Sequence, residues 1–400
     1  MQAQQLLQKL LKKTCPDMHA KRREALHASV LGVITGQQLT VTQIGRSIES
    51  PAQEKHCIKR ADRLLSNPHL HQERRGIYHA LIQPIIGSQP KPLILVDWSD
   101  LETGKRHFLL RASTPVDGQS MTLYEEIHTV HTKEKRKTHQ LFLTQLKSLL
   151  PDGCCPVIVT DAGFRTPWFR QVEALGWDWV GRVRNRTFIR LEYDKDWRAC
   201  KSTYDKANTR PKLLGAALMT RSNQLTCHLV LVKAKPKGRV KLTCFGQRAR
   251  RHGSEKQAQR EREPWLLATS LPISSTQAKK IVNIYKTRMQ IEEAFRAMKS
   301  HRYGLGFADN LTKQLKRLDV LLLLGLLAFF VLWCLGKAVE ITKQHWQYQA
   351  NTIRHRKVLS TSFIGLKVVN DARISIRWSD LKQAFEQLNI IIRGFQYDYI

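Results

Sequence analysis

Acidic residues are scarce in this chain, which has 33 Asp and Glu against 66 Lys and Arg and a formal charge of +33. Such an imbalance disfavours basic partners and favours a polyanion. Anionic lipid is one alternative, but the basic residues recur along almost the whole chain and do not merely flank one apolar segment. The charge therefore predicts a nucleic acid as the partner.

Paired cysteines of the metal-binding kind are also missing. The eight cysteines form no C-x-x-C pair, and the sequence does not start with a short apolar run that ends in small residues. These absences argue against a zinc site and against secretion, and they predict reduced thiols in a cytoplasm. At 42% hydrophobic residues over 400 positions, the chain is long enough for roughly two to four domains.

Long apolar runs are represented by one segment, Val320 to Gly336, which carries no charge over 17 residues. This is the lower limit for a helix that spans a membrane. The alternative is a buried core helix, which we favour because the segment stands alone and a highly basic chain surrounds it. We therefore expect no membrane partner.

Residues 1–90 show helical spacing of apolar residues and predict an N-terminal DNA-binding domain. Leu39 to Ile48, capped by Thr40 or Thr42, could form the first helix of a helix-turn-helix pair. Residues 55–65 would then be the helix that lies against DNA, through its basic residues Lys59, Arg60 and Arg63. A solvated basic helix is the alternative for this segment.

Residues 91–340 predict a mixed α/β catalytic domain in which strands and helices alternate. Strands are predicted at 93–96, 106–112, 121–130, 156–160 and 177–183, with helices at 133–150 and from Thr166. A basic, β-rich insertion follows at about 186–262, with strand candidates at 188–191 and 226–232. A strand at 265–269 and one long helix at 275–300 come next. Residues 341–400 form a C-terminal region that could serve dimerisation.

Two aspartates end apolar strands, where a sheet presents side chains to a cleft. Asp97 follows Leu93 to Val96, and Asp161 follows the strand that ends at Thr160. Each could instead form a turn or cap a helix, and Asp100 competes with Asp97. Both positions are candidates for a catalytic carboxylate.

The helix predicted at 275–300 carries a row of polar residues along one side. At about 100° per residue, Tyr285, Arg288, Glu292, Arg296 and Lys299 fall within a sector of about 80°. An apolar stripe adjoins this row, so the row should follow the edge of the buried face. Pairs at i, i+4 on a solvated face are the alternative. Glu293 is turned about 100° from Glu292 and is the poorer candidate for the same cleft.

The pattern Tyr285-x2-Arg288-x3-Glu292-x6-Lys299 resembles the Y-R-E-K signature of the fourth insertion-sequence family of bacterial transposases. Further segments are similar to the group that contains the Tn-ten transposase, and they extend the likeness over most of the chain. These are Leu95 to Asp100, Thr160 to Phe164, Glu263 to Thr269, Met289 to Glu293, Gln349 to Thr352 and Val358 to Ser360.

This resemblance implies a ribonuclease-H-like core in which Asp97, Asp161 and Glu292 form a D-D-E triad. The triad would hold two Mg²⁺ ions, for which Mn²⁺ can substitute. It also implies a cut-and-paste transposase that acts as a homodimer on double-stranded DNA. Such an enzyme cleaves the inverted-repeat ends of the element through a hairpin and joins the 3′ ends to target DNA. The expected location is the bacterial cytoplasm, near the nucleoid.

The same resemblance assigns DNA contacts. Tyr285, Arg288 and Lys299 would contact the phosphate near the cleavage point, and Trp265 would stack on a base that is flipped out during hairpin formation. For Trp265 the alternative is a core aromatic residue of a strand. Two other functions compete with transposition: a nuclease or resolvase without strand transfer, and a catalytically inactive DNA-binding derivative. The basic insertion and the complete set of carboxylates argue against them.

Overall fold

The computed structural model describes residues 2–395 except 103, 105, 185–186, 236–242, 244–246 and 249–262. The chain divides into two compact units. Unit 1 combines Met1–Cys154 with Met289–Tyr399, and unit 2 is Cys155–Arg288. The domain boundaries predicted near residues 90 and 340 both lie inside unit 1, and they remain predictions about regions of the sequence.

Unit 1 begins with helices, as the apolar spacing predicts. They are α1 (Gln2–Thr14), α2 (Ala20–Gly36), α3 (Val41–Arg46), α4 (Glu54–Leu65) and α5 (Pro68–Ile86). Thr40 caps α3, because its hydroxyl accepts the N–H of Gln43 at 3.4 Å. Gly45 lets α3 lie close to α4, since a Cβ at this position would stand 2.3 Å from the Cα of Ile58. The helix pair proposed from the sequence is therefore closely packed.

An antiparallel meander and a helix follow in unit 1. Its elements are β1 (Leu93–Asp100), β2 (His107–Val116), β3 (Gln119–Thr129) and α6 (Arg136–Leu149), with the strands in the order β3-β2-β1. Asp117 and Gly118 make the turn between β2 and β3 with φ angles of 46° and 87°. A two-residue hairpin turn needs this left-handed backbone, which Asp-Gly adopts readily.

Unit 2 contains a mixed sheet. Its elements are β4 (Val157–Thr160), α7 (Thr166–Glu173), β5 (Asp178–Val183), β6 (Phe188–Leu191), β7 (Arg198–Ala199), a 3₁₀ helix (Cys200–Lys206), β8 (Lys212–Met219), β9 (Leu225–Val232), β10 (Trp265–Thr269), a 3₁₀ turn (Ser275–Gln277) and α8 (Ala278–Thr287). Their strand order is β4-β5-β10-β9-β8-β6-β7. β4 runs parallel to β5, and the other strand pairs described in unit 2 are antiparallel.

The insertion predicted at about 186–262 is only partly covered by the described residues. β6 and β9 match its strand candidates, whereas β7 and β8 were not predicted. Arg248 is described, and Arg250 and Arg251 of the same basic loop lie outside the described part of the chain. With its strands and helices, the molecule confirms the predicted mixed α/β fold class.

The chain returns to unit 1 with α9 (Met289–Lys299), a 3₁₀ turn (Phe307–Asp309), α10 (Leu315–Ile341), a 3₁₀ turn (Gln344–Tyr348), α11 (Thr361–Val369) and α12 (Trp378–Gly394). α10 contains the apolar run and is long and apolar enough to cross a membrane by length and composition alone. However, 89% of its most apolar window is buried, and α2, α4, α5, α11 and α12 pack around it. This burial agrees with the core-helix alternative.

The single long helix predicted at 275–300 is wrong, because the structure divides it into α8 and α9. The hydroxyl of Thr287 donates to the Ile284 carbonyl at 2.7 Å, and this is the carbonyl that an α-helical N–H of Arg288 would take. The Arg288 N–H instead donates to the Tyr285 carbonyl at 3.1 Å, an i to i−3 bond. A side chain that competes for a backbone acceptor thus interrupts the helix.

Candidate active site

Asp97 lies on the face of β1 that α9 covers. Side chains alternate along a strand, so Asp97 and Ser99 point to the same face. Ser99 accepts a hydrogen bond from Lys299 Nζ of α9 at 2.7 Å. Arg111, opposite Asp97 in the β1–β2 register, contacts the sulfur of Met298 on α9 at 3.0 Å. Both neighbours therefore place Asp97 on the α9 side of the sheet.

Asp100, the competing aspartate, lies on the opposite face together with Trp98. Trp98 Nε1 donates to His139 of α6 at 3.2 Å, and an Asp100 carboxylate oxygen pairs with Lys133 at 3.5 Å. The Asp97 side chain is 9% exposed, and its Oδ1 accepts the N–H of Trp98 at 2.8 Å. The side chains of Asp97 and Asp100 thus lie on opposite faces of the sheet.

Glu292 stands on the side of α9 that meets β1. Within α9, Glu292 and Lys299 are seven residues apart, which is about two turns and about 20° in angle. Lys299 Nζ reaches β1, where it also donates to the Asp100 carbonyl at 2.9 Å. Glu292 is exposed, whereas Glu293 pairs with Arg296 at 2.9 Å. The structure therefore brings Glu292 and Asp97 to the same side of unit 1.

Lys299 makes its described bonds to β1 and is partly withdrawn from solvent. Burial lowers the pKa of Lys299, the positive charge of Arg111 lowers it further, and Asp100 opposes both effects. Whether Lys299 also contacts a phosphate, as the resemblance implies, stays a prediction. Its visible role is to tie the end of α9 to the end of β1.

A buried ion pair supports this face, and the sequence analysis missed it. Arg111 and Glu125 are 4% and 1% exposed, and their charged groups are 2.6 Å apart. Tyr78 donates to the second Glu125 oxygen at 3.3 Å, and burial together with the Glu125 charge raises the pKa of Tyr78 well above its usual value. An arginine inside the apolar segment Phe108 to Ala112 was the available signal, since a charge in such a strand needs a partner.

Asp161 belongs to unit 2 and directly follows β4. Its Oδ1 accepts the N–H of Gly163 at 2.8 Å, so the backbone orients the carboxylate. This is the turn that the sequence offered as an alternative to a functional role, and an oriented carboxylate is compatible with both.

Tyr285 is more buried than the helical wheel predicts, at 4% exposed. Its ring meets that of half-buried Trp265 edge to face, with centroids 5.1 Å apart. Burial raises the pKa of Tyr285, while Arg288 and Arg182 lower it, and Asp161 raises it further. These causes place the Tyr285 phenol among two arginines and the Asp161 carboxylate. Within unit 2, Tyr285 therefore has Trp265, Arg288 and Asp161 as neighbours.

The basic residues predicted to read DNA lie on α4, which buries Cys57, Ala61, Leu64 and Leu65. Lys59 and Arg63 are exposed, whereas Arg60 is half-buried and pairs with Glu24 of α2 at 3.1 Å. The exposed pair is spaced by four residues and shares one side of the helix. Of the three basic residues, Arg60 joins α4 to α2 through its ion pair with Glu24.

The chemistry of the predicted metal ligands suits a hard divalent cation. Asp97, Asp161 and Glu292 offer carboxylate oxygens, which Mg²⁺ and Mn²⁺ accept together with water and phosphate oxygens. Among the described residues, no group of three or more His, Cys, Asp or Glu side chains is placed to hold a metal ion. The triad of Asp97, Asp161 and Glu292 therefore stays a prediction from the sequence motif.

Carboxylates on β1, directly after β4 and on a helix that packs against β1 are the groups expected of an enzyme that carries out metal-dependent phosphoryl transfer on nucleic acids. Residues 88–330 match the family model of the transposase DDE domain, and this match covers more than half of the chain. The chain therefore belongs to that family, and the protein is a DDE transposase, an enzyme that cleaves and joins DNA strands with divalent metal ions. No curated protein matches the chain.

Proposed function

We propose that the protein is a cut-and-paste transposase of the fourth insertion-sequence family, similar to the Tn-ten group, with Asp97, Asp161 and Glu292 as its metal-binding triad. The observation that carries the proposal is the shared side of Asp97 and Glu292, set by the Lys299 bonds to Ser99 and Asp100. The Y-R-E-K spacing supports the family assignment, and the whole set of carboxylates supports an active enzyme.

The triad would hold two Mg²⁺ ions, or Mn²⁺ in their place. When bound, such ions activate an attacking oxygen and stabilise the leaving oxygen in an in-line displacement at a phosphodiester. The chain's own part is orientation. Backbone N–H groups fix one oxygen each of Asp97 and Asp161, and the Lys299 bonds hold α9, which carries Glu292, against β1.

The hairpin step is assigned to the aromatic pair of unit 2. Trp265 is half-buried against Tyr285, so part of its ring is accessible to a base that leaves the helix stack. Arg288 and the Tyr285 hydroxyl supply donors for a phosphate beside Asp161. This arrangement supports end cleavage through a hairpin, which a simple nuclease or resolvase does not need.

The remaining contacts concern assembly. Exposed Lys59 and Arg63 of α4 support a role in binding the inverted-repeat ends, with phosphate contacts that position the DNA. A homodimer is part of the proposal, with residues 341–400 as its candidate contact. Target DNA is the second nucleic acid partner.

The experiment compares two adjacent glutamates. Glu292→Gln keeps the size of the side chain and removes its charge, so end binding should persist while Mg²⁺-dependent cleavage falls. Metal ions stabilise the transition state by several kcal/mol. A loss of roughly 3 kcal/mol of this stabilisation would slow cleavage on the order of 100-fold. Glu293→Gln is the matched control, because it removes only an exposed pair with Arg296 that contributes little.

Cleavage is measured on DNA that carries the element's end, with binding followed on the same fragment. Loss of cleavage in Glu293→Gln but not in Glu292→Gln would refute the site. Normal cleavage by both variants would refute the role of α9 in catalysis. Cleavage without joining of the 3′ end to a plasmid would support the nuclease alternative instead.

A further inference from the structure

A large basic groove opens within unit 2, beside the position of Asp161. Its volume is about 1110 Å³, and Ala162, the residue after Asp161, is part of its wall. Its cationic side chains come from the start of α7, from β5, from the 3₁₀ helix after β7 and from the turn between β8 and β9. They are Arg165, Arg182, Arg184, Lys201 and Arg221.

The groove is unbalanced in charge, since its described lining contains no carboxylate. Arg184 is partly neutralised by Glu263, at 2.7 Å. Arg165, Lys201 and Arg221 are exposed and form no ion pair with any described residue. Buried Arg182 Nε has no hydrogen-bond acceptor among the described residues. A cationic surface with an unsatisfied donor favours an anion with several oxygen atoms.

The wall of the groove is fixed before any ligand binds. The hydroxyls of Thr166 and Thr220 are 2.8 Å apart, which joins the start of α7 to the β8–β9 turn. Arg170 of α7 also donates to the Gln224 carbonyl in the same turn. The Arg221 guanidinium lies 3.9 Å from the centre of the Phe188 ring, which holds it in the groove. Preorganised cations bind without a large loss of side-chain entropy.

We propose that this groove binds the sugar-phosphate backbone of a DNA strand that leads away from the phosphate at the catalytic carboxylates. The inference rests on the proposed function, which brings a scissile phosphate to Asp161. Cations distributed along a groove of this size match a run of phosphates better than a single one. The strand belongs either to the flank of the donor DNA or to the target DNA.

The test is the double variant Arg165→Ala with Arg221→Ala. Both side chains are exposed, and Arg165 makes no side-chain capping bond at α7, so the fold should persist. Arg210→Ala is the matched control, because this arginine is exposed in unit 2 and does not line the groove. The double variant Arg165→Lys with Arg221→Lys keeps both charges and should largely restore binding.

Binding is measured with two probes: an uncut element end with its donor flank, and a pre-cleaved end together with a supercoiled plasmid as target. At about 0.1 M salt, affinity for one probe should fall on the order of tenfold for each lost phosphate contact. The slope of log affinity against log salt should become shallower by about 0.9 per contact. A loss confined to the first probe identifies the donor flank, and a loss confined to the second identifies target DNA.

Wild-type affinity and slope on both probes in the double Ala variant would overturn the proposal. An equal loss in Arg210→Ala would also overturn it, because the effect would then reflect overall charge. The proposed function is judged separately, by Mg²⁺-dependent cleavage and joining in the wild-type protein. Weaker binding by the groove variant would support a DNA site even if the wild type did not cleave.

Discussion

Replacing Lys299 tests how much its hydrogen bonds between α9 and β1 contribute to the stability of unit 1. Lys299→Met keeps the long side chain and its packing but removes the two bonds from Nζ to Ser99 Oγ and the Asp100 carbonyl, at 2.7 and 2.9 Å. Ser99→Ala removes only the first bond. The pair of substitutions therefore separates the hydroxyl contact from the carbonyl contact.

The magnitude follows from the charge and exposure of Lys299. A hydrogen bond from a charged donor contributes about 1.5–3 kcal/mol, and each Lys299 bond should contribute less, about 1 kcal/mol, because burial already disfavours the ammonium and lowers its pKa. We expect Ser99→Ala to destabilise unit 1 by about 1 kcal/mol and Lys299→Met by about 2 kcal/mol. In the Lys299→Met background Ser99→Ala should change little, so the coupling is about 1 kcal/mol.

The assay is a double-mutant cycle on the free energy of unfolding in urea, with hydrogen exchange in α9 and β1 to locate the effect. Hydrogen exchange is needed because a chain of two units need not unfold in one step. Additive effects within about 0.3 kcal/mol would show that the Lys299–Ser99 contact is not formed in solution. A loss of DNA affinity in Lys299→Met with no loss of stability would favour the phosphate contact that the sequence motif implies.

Trp265→Ala should leave first-strand nicking intact and slow hairpin formation roughly 5- to 150-fold, because stacking on one base contributes about 1–3 kcal/mol. Equal loss of both steps, followed on end-labelled DNA, would identify Trp265 as a packing residue of β10. A second expectation concerns His139, whose pKa burial lowers to about 4 with a further contribution from His128. Since the unfolded chain protonates near pH 6.5, stability should be complete above this pH and fall by on the order of 3 kcal/mol as the pH drops to 4. His139→Gln still accepts the Trp98 N–H but does not titrate, so an unchanged pH dependence of the melting temperature in this variant would contradict the assignment.

Much of the α/β framework was predictable because its signals are local. Runs of apolar β-formers locate β1, β4 and β10, and Asp97 and Asp161 are recognisable because each directly follows such a run. β8 was not predicted because Lys212 to Met219 contains one glycine and two alanines, residues with a low preference for strands. Its place depends on pairing with β9, a contact that local sequence does not encode.

The choice between Asp97 and Asp100 shows what the sequence leaves open. Both follow the same apolar run. The alternation of side chains along a strand places Asp97 and Ser99 on one face and Asp100 on the other, but it does not tell which face meets α9. The bonds from Lys299 to Ser99 and from Arg111 to Met298 decide that question. They join residues that are about 200 positions apart in the chain.

The orientation of the four residues of the Y-R-E-K pattern was predicted less well, because the helical wheel assumes that they lie on one continuous helix. Tyr285 and Arg288 end unit 2, whereas Glu292 and Lys299 belong to unit 1. The predicted angle between Glu292 and Lys299 holds, since both lie within α9. The predicted angle between Tyr285 and Glu292 does not hold, because the helix is interrupted at Arg288. A single hydroxyl, that of Thr287, competes for the backbone there. Spacing alone therefore identifies the chemistry of these residues better than it identifies their orientation, and orientation has to come from the contacts that each half makes within its own unit.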